Sequence, residues 1–448
     1  MTALPESHNV LVIAYYFPPL GLSGVQRTLK FVKYFPAFGW NPTVLTVEPR
    51  GYFAKDESLL EELQNIDVEI VRTRSLDPLH FFRTSDVVQM PSARMHSLMS
   101  KLSQCFFLPD NKIGWKRKAV SAARKILKSK PFDAIFATAP PYTDFLIGAQ
   151  LKKEFRIPLV IDYRDAWLDN PLHFYPTPLH KLIHAHKESS VLRAADAIIT
   201  INRRIKELTL QRYESVAHGE IAIIPQGFDQ SDFDEADASP TNGKIRFTHS
   251  GTFYYNRTPE YFLNGLQQFL ERHPGARKQI EIIFIGAISK SYREMIAREN
   301  LEDVVQCTGY IPHRECISML KGSNVLWMTL GDDAGDDMMS TGKLFEYIGA
   351  RKTILGLVPD GIAKRTILEY GNGFTVHPHD VEGIGNTIEK IFLMQKQNSK
   401  REVKEEFVQQ YERKNLTAQV VKIFHSLIES DSVHPSHSSS IEQRTQPL

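Results

Sequence analysis

The feature that most constrains this chain is an alternation that runs once and then starts again. Short apolar runs at 9–16, 42–47, 68–72, 132–138, 159–163, 196–202 and 221–224 are separated by segments of helical spacing. Apolar runs of strand length, alternating with helices such as those read over 186–194 and 405–428, predict a doubly wound parallel sheet. The series then restarts at 245–249 and continues through 280–285, 304–308, 325–330, 353–358 and 374–376. A chain of 448 residues is long for one core and suits two. The fold expected is α/β, with two doubly wound parallel-sheet (Rossmann-like) domains facing a cleft. The first covers 1–225 and the second 245–410, with a linker at 226–244. Residues 232–243 of that linker are acidic and rich in turn formers, as in a surface loop. The tail, 430–448, is polar and rich in Ser and His, the composition of a disordered segment.

Composition narrows the function by exclusion. The net charge is +2, so global electrostatics do not point to nucleic acid. Cys105, Cys307 and Cys316 are odd in number and scattered, which fits a reducing compartment and no metal spacing. The first residues carry no basic region ahead of the apolar run, which argues against a signal peptide. No apolar run approaches the roughly 18 residues that span a bilayer. The expectation is a cytoplasmic protein, with contact to the inner membrane face as an option.

The stretch most able to carry chemistry begins at the apolar run 325–330. An acidic, glycine-containing loop follows at 331–337, and then Ser340-Thr341-Gly342-Lys343-Leu344-Phe345-Glu346-Tyr347. Ser340 or Thr341 can cap a helix that starts there. Lys343 and Glu346 lie three apart, on one face of a helix whose other positions are apolar. A charge on a buried helix is costly unless it is paired or lines a site. A nucleotide sugar would satisfy both: Lys343 and the helix N-terminus meet a diphosphate, and Glu346 accepts from two ribose hydroxyls. The alternative is a plain Lys–Glu surface pair.

Other loops fall at the same ends of the strands, where parallel sheets bind ligands. The first run leads into Gly21-Leu22-Ser23-Gly24, whose glycines let backbone approach a ligand closely. That spacing is not the dinucleotide fingerprint, so a nicotinamide cofactor is discounted, and no cofactor is expected. Arg164 and Asp165 follow the run at 159–163 and are candidates for contacting sugar or acceptor hydroxyls; a structural ion pair is the alternative. Ser250-Gly251-Thr252 offers amides for a phosphate, with Arg257 just ahead of a proline-started helix. Tyr310 sits in a Gly-Tyr-Ile-Pro loop placed to read a nucleobase through backbone groups.

Two segments raise the question of a membrane. Met95, Leu98, Met99, Leu102, Phe106 and Phe107 recur at helical spacing, and either pack on the domain or meet a lipid. Between Lys112 and Lys130 there are eight Lys/Arg and no acid, on a helix that is either a solvated face or a seat for anionic headgroups.

The run 340–347 resembles the donor-site helix of family 4 glycosyltransferases, which have the two-domain GT-B fold. The resemblance spans residues 9 to 428. It includes Tyr15-Tyr16-Phe17-Pro18-Pro19 through Arg27, similar to the family's first strand and glycine loop. Asp162-Tyr163-Arg164-Asp165-Ala166-Trp167 is similar to an Asp-Phe-Arg-Asp-Pro-Trp segment, and Pro225-Gln226-Gly227-Phe228-Asp229 to the interdomain signature. The resemblance implies glycosyl transfer from a nucleotide sugar to a glycan or lipid-linked acceptor. It also implies that Arg257 and Lys343 act on the donor diphosphate, that retaining chemistry needs no separate base, and that a helix at 411–429 crosses back onto the first domain. One departure stands out: eight positions before Glu346, where many members carry a second glutamate, this chain has Met338. No Asp-x-Asp metal motif is read in the chain, and metal independence is expected.

Overall fold

The structure is a computed structural model that describes residues 7–21, 23–50, 55–77, 93–170, 173–253, 256–333, 335–339, 341–399 and 401–433. Seven strands form the first sheet: β1 (His8–Ile13), β2 (Trp40–Val47), β3 (Glu69–Thr73), β4 (Ala134–Ala139), β5 (Leu159–Tyr163), β6 (Ala197–Thr200) and β7 (Ile221–Ile223). Their order is β3-β2-β1-β4-β5-β6-β7, and all pairs are parallel. The second sheet has β8 (Ile245–Ser250), β9 (Ile280–Ile285), β10 (Val305–Gly309), β11 (Val325–Thr329), β12 (Thr353–Leu357) and β13 (Gly373–Val376), in the order β10-β9-β8-β11-β12-β13. Both sheets are therefore doubly wound. Each reverses direction once, between β1 and β4 and between β8 and β11, and ligands of such sheets bind at that reversal.

Strands so apolar hold because helices cover both faces. Val10 to Ile13 and Ala134 to Ala137 are adjacent in register and buried. In the second half Trp327 of β11 stacks on Phe262 at 3.8 Å between ring centres.

The chain passes between the halves twice. The first passage, 226–244, is packed rather than loose. It contains a helix, Gln230–Glu235, and Phe228, Phe233 and Ala236 are buried against the second half. Its acidic residues are used: Asp229 caps that helix, and Asp232 meets Lys30 at 2.5 Å. The second passage breaks the helical stretch read across 405–428 into Glu405–Gln409 and Arg413–Val433. Here the two passages pair backbone to backbone. Phe228 N–H donates to the Tyr411 carbonyl at 3.1 Å, and Arg413 N–H donates to the Phe228 carbonyl at 2.8 Å. Gly227 is required at that crossing, since a Cβ there would lie 2.2 Å from the Tyr411 oxygen. The Arg413–Val433 helix then buries Leu416, Val420 and Phe424 in the core of the first half. The helix read as starting at His186 starts at Pro178, with Thr177 as its cap. The tail beyond 433 lies outside the described residues.

Candidate functional site

The reversal in the second sheet brings the end of β8 beside the end of β11. At the end of β8 the backbone turns at Gly251, with φ of +108°. A side chain there would be strained, and its Cβ would come 2.8 Å from Lys343 Nζ. The Gly342–Gly349 helix is pinned across both strand ends by Tyr347. The phenol oxygen accepts from the Ser250 N–H at 2.8 Å and donates to the Trp327 carbonyl at 3.2 Å. Leu344, Phe345 and Ile348 are buried, which turns Lys343 and Glu346 to the opposite side of the helix.

Lys343 Nζ lies 3.4 Å from His249 Nε2. His249 is buried in β8, stacked on Phe253 at 4.2 Å, with Nδ1 3.1 Å from the Trp327 carbonyl. A carbonyl only accepts, so Nδ1 carries the proton and Nε2 is left to accept from the amine. Burial, and then the charge on Lys343, hold the His249 pKa well below its ordinary value. Lys343 is itself lowered to about 8, by burial and then by Arg257, against an opposing pull from Glu346. Two cationic side chains converge here in low dielectric, which is the environment an anionic ligand would relieve.

Arg257 is buried, with Nη2 3.8 Å from Asp336 in the acidic loop. Asp336 also accepts from Asn256 Nδ2 at 2.7 Å and from the Asp333 N–H at 3.0 Å, which folds that loop over the arginine. Across the cleft stands Asp165, at the end of β5. Burial pushes its carboxyl up, and the charges of Arg164 and then Arg257 partly offset this. Asp165 from the first half and Arg257 from the second thus act on each other.

Glu346 and Lys343 do not point into bulk solvent. Glu346 Oε1 lies 3.2 Å from His313 Nε2. Burial disfavours charge on His313, but the Glu346 and Asp232 carboxylates outweigh it and raise its pKa. The His313 N–H donates to Asp56 of the first half at 2.9 Å, and the Asp56 N–H donates to the Pro19 carbonyl at 2.8 Å. A continuous polar chain therefore runs from Glu346 to the glycine loop of the first domain. Thr341 occupies the cap position of the Gly342–Gly349 helix without capping it; its buried Oγ1 meets no hydrogen-bond partner among the described residues. Such an orphan donor beside a helix N-terminus suits a phosphate oxygen.

The remaining candidates fall as follows. Arg164 does not reach into the cleft as an acceptor-binding side chain. Its guanidinium donates to the carbonyls of Ala139 at 3.1 Å, Gly24 at 2.7 Å and Pro140 at 2.5 Å. It acts as a clamp that fixes the two loops flanking the cleft. Gly21 is buried, and Gly24 has open space where a Cβ would go, so the need at Gly24 is for its carbonyl rather than for a bare Cα. Tyr310 follows β10, is 45% exposed, and has its pKa raised to about 12 by burial and then by Asp56. Ser340 lies outside the described residues.

Two groups of metal-ligand type occur among the described residues. Glu62, Asp232 and His313 converge, but the Lys30 ammonium sits 2.5 Å from each carboxylate and takes the place of a cation. Asp332, His377 and His379 are exposed, and the first two already form a 3.1 Å ion pair. The chain does hold an Asp-x-Asp triplet, Asp232-Phe233-Asp234, which the sequence reading passed over. Its carboxylates diverge, one to Lys30 and the other to Gln230 Nε2 at 2.9 Å. The reading also missed His249 and His313. The place of His249 near the carboxyl end of the strand read at 245–249, where parallel sheets bind ligands, was the available signal for the first; nothing local marked the second.

The profile described as Glycosyltransferase Family 4 matches residues 22–232. No curated protein matches the chain in sequence. Among solved structures, the chain is similar to a glycosyltransferase from Rickettsia africae, with TM-score 0.61, 14% identity, and 94% of this chain and 99% of that one covered. It is similar to a sucrose-phosphate synthase from Thermosynechococcus elongatus, with TM-score 0.60, 14% identity, and 94% and 100% covered. It is also similar to a putative UDP-N-acetylglucosamine 2-epimerase from Listeria monocytogenes, with TM-score 0.56, 10% identity, and 95% and 97% covered. At these identities the structural likeness speaks for the architecture: the whole chain has the GT-B fold, and its first domain matches the glycosyltransferase family 4 profile.

Proposed function

We propose that this chain transfers a sugar from a nucleotide-sugar donor to a glycan or lipid-linked acceptor in cell-surface polysaccharide biosynthesis, on the cytoplasmic side of the membrane. The observation that carries the reading is the Lys343–Arg257 pair beside Gly251 and the orphan Thr341 hydroxyl, all at the reversal of the second sheet. Breaking the anomeric bond places negative charge on the leaving diphosphate and positive charge on the ring. Arg257, Lys343 and the N-terminus of the Gly342–Gly349 helix stabilise the first of these in a preorganised way. Glu346 accepts from the ribose, with His313 holding its other side, and the Tyr310 loop meets the base. Asp165 orients the acceptor across the cleft, beside the glycine loop that Arg164 clamps. Transfer is retaining and metal-independent in this reading, and the departing phosphate takes the acceptor proton in place of a separate base. Closure of the halves excludes water.

An epimerase of the same architecture would need no outside acceptor, which the basic face of the first half fits better, and Met338 in place of a glutamate favours a second reading, a sugar-nucleotide-binding partner without turnover. Incubation with radiolabelled nucleotide sugars and a membrane or glycan extract separates these. Transfer of label to the extract, with slow hydrolysis in its absence, is expected. Binding without turnover supports the partner, and label that stays on an altered nucleotide sugar supports the epimerase. A thermal-shift panel of nucleoside diphosphates then identifies the base. Lys343→Ala is expected to abolish the shift, and an undiminished shift would remove Lys343 from the site.

A further inference from the structure

Eleven large apolar side chains are exposed among the described residues, and six of them gather on one face of the first half. Met99, Leu102 and Phe106 recur at i, i+3 and i+7 on the Ala93–Phe106 helix and share a stripe. Leu179 and Leu182 recur at i and i+3 on the Pro178–Ala194 helix, and Phe174 lies in the loop before it. The two elements are joined. Gln104 Oε1 accepts from the Phe174 N–H at 2.6 Å, and His180 Nε2 lies 3.2 Å from the Cys105 carbonyl. Phe106 is 80% exposed and Leu182 66%, far beyond a side chain that merely grazes the surface. Apolar protrusions grouped in this way mark an interaction site.

The charge on this face has one sign. Lys101 and Lys181 are exposed on the two helices, and Lys101 Nζ sits 5.6 Å over the Phe174 ring. Lys116 and Lys187 stand close enough that Lys187 adds to burial in lowering the Lys116 pKa. Neither 93–109 nor 173–187 contains an acid. The carboxylates that follow these two stretches are turned inward, since Asp110 accepts from the Thr143 backbone and hydroxyl and Glu188 is buried, and Asp169 ahead of the second is paired with Arg212. A second copy of this chain would set these lysines against themselves. A bilayer with anionic lipids supplies an apolar interior for the protruding side chains and phosphates for the lysines at once.

We propose that this face, built from the Ala93–Phe106 helix and the start of the Pro178–Ala194 helix, docks the protein on an anionic lipid surface. The site is joined to the cleft. His184 on the second helix accepts from the Trp167 indole N–H at 2.8 Å, two residues beyond Asp165. Docking therefore sets the acceptor edge of the cleft at the lipid surface. That use rests on the transfer reading above, whereas docking itself does not, and the test contains no donor sugar.

The full chain is floated with vesicles of phosphatidylcholine alone, or of three parts phosphatidylcholine to one part phosphatidylglycerol. Binding to the anionic vesicles, weakening as salt rises, is expected. Leu102→Ser/Phe106→Ser/Leu182→Ser and Lys101→Glu/Lys181→Glu are each expected to weaken it roughly tenfold or more. All five positions are exposed, so circular dichroism and the melting point should match the parent. Lys125→Glu/Lys128→Glu, on the basic Lys116–Ser129 helix, should leave binding within about twofold, beyond the loss of general attraction. Binding that is absent, equal on neutral vesicles, or lost only in the Lys125/Lys128 variant overturns the proposal. So does a concentration-dependent dimer that Phe106→Ser dissolves.

Discussion

Lys30 is buried and Lys343 is half-buried, and their surroundings are opposite. Lys30 has Glu62 and Asp232 at 2.5 Å and Asp229 at 3.0 Å. Burial works against its charge, but the three carboxylates outweigh burial and raise its pKa. Lys343 has a neutral imidazole as its hydrogen-bond partner and Arg257 nearby, and its pKa falls to about 8. The Lys30 anions come from the first half and from the passage between halves, so that cluster fastens the passage down. At Lys343 the second cation, Arg257, works with burial, Glu346 pulls the other way only in part, and among the described residues no carboxylate forms an ion pair with the amine, which leaves room for an anionic ligand. A buried lysine with its anions in place serves the fold; one without them serves binding.

The contrast can be broken most directly at Lys30. Lys30→Met leaves three clustered carboxylates with only Lys33 and His313 beside them and is expected to lower stability by about 3–5 kcal/mol, read from urea unfolding. A loss below about 1 kcal/mol would mean the cluster is not structural. Lys343→Met should do the reverse. Its unfolding free energy should stay within about 1 kcal/mol of the parent, since a desolvated charge is removed, while turnover falls about 10²–10³-fold. A fall in stability matching that of Lys30→Met would erase the distinction. His249→Leu takes away the acceptor that aims the Lys343 amine. Nucleoside diphosphate affinity should drop about tenfold by calorimetry, with little change in melting point. The smallest effect is on pH. A lysine lowered to about 8 loses its proton as pH rises through that value, so affinity should fall severalfold between about pH 7 and 9. In the same window binding should take up protons, seen as a buffer-dependent binding enthalpy. An affinity flat to about pH 9.5 would place the amine outside the ligand's reach.

The strands were legible because each is an apolar run closed by turn formers, and the thirteen runs read from the sequence are the thirteen strands of the two sheets. The spacing of Lys343 and Glu346 was legible for a similar reason, since three residues on a helix fix a shared face whatever lies around it. Arg164 was harder. Its partners, the carbonyls of Gly24, Ala139 and Pro140, come from two other loops, and no spacing in the chain announces a backbone acceptor. The same holds for Lys30, whose three anions are up to about two hundred positions away in sequence. The break at 410–412 was invisible because it is imposed by Phe228, through pairing of one passage with the other. The start at Pro178 was visible after all: Thr-Pro at a helix entry is a local signal, and it was passed over.

The crossing at Phe228 and Arg413 has a consequence for how the molecule is made. The first half shares its core with Leu416, Val420 and Phe424, which are among the last described residues to leave the ribosome. Until they arrive, Phe35 and Trp40 lack the Phe424 ring that packs on both. The half that is synthesised first is thus the half that finishes folding last, and the nascent chain carries an open apolar groove through the whole translation of the other domain.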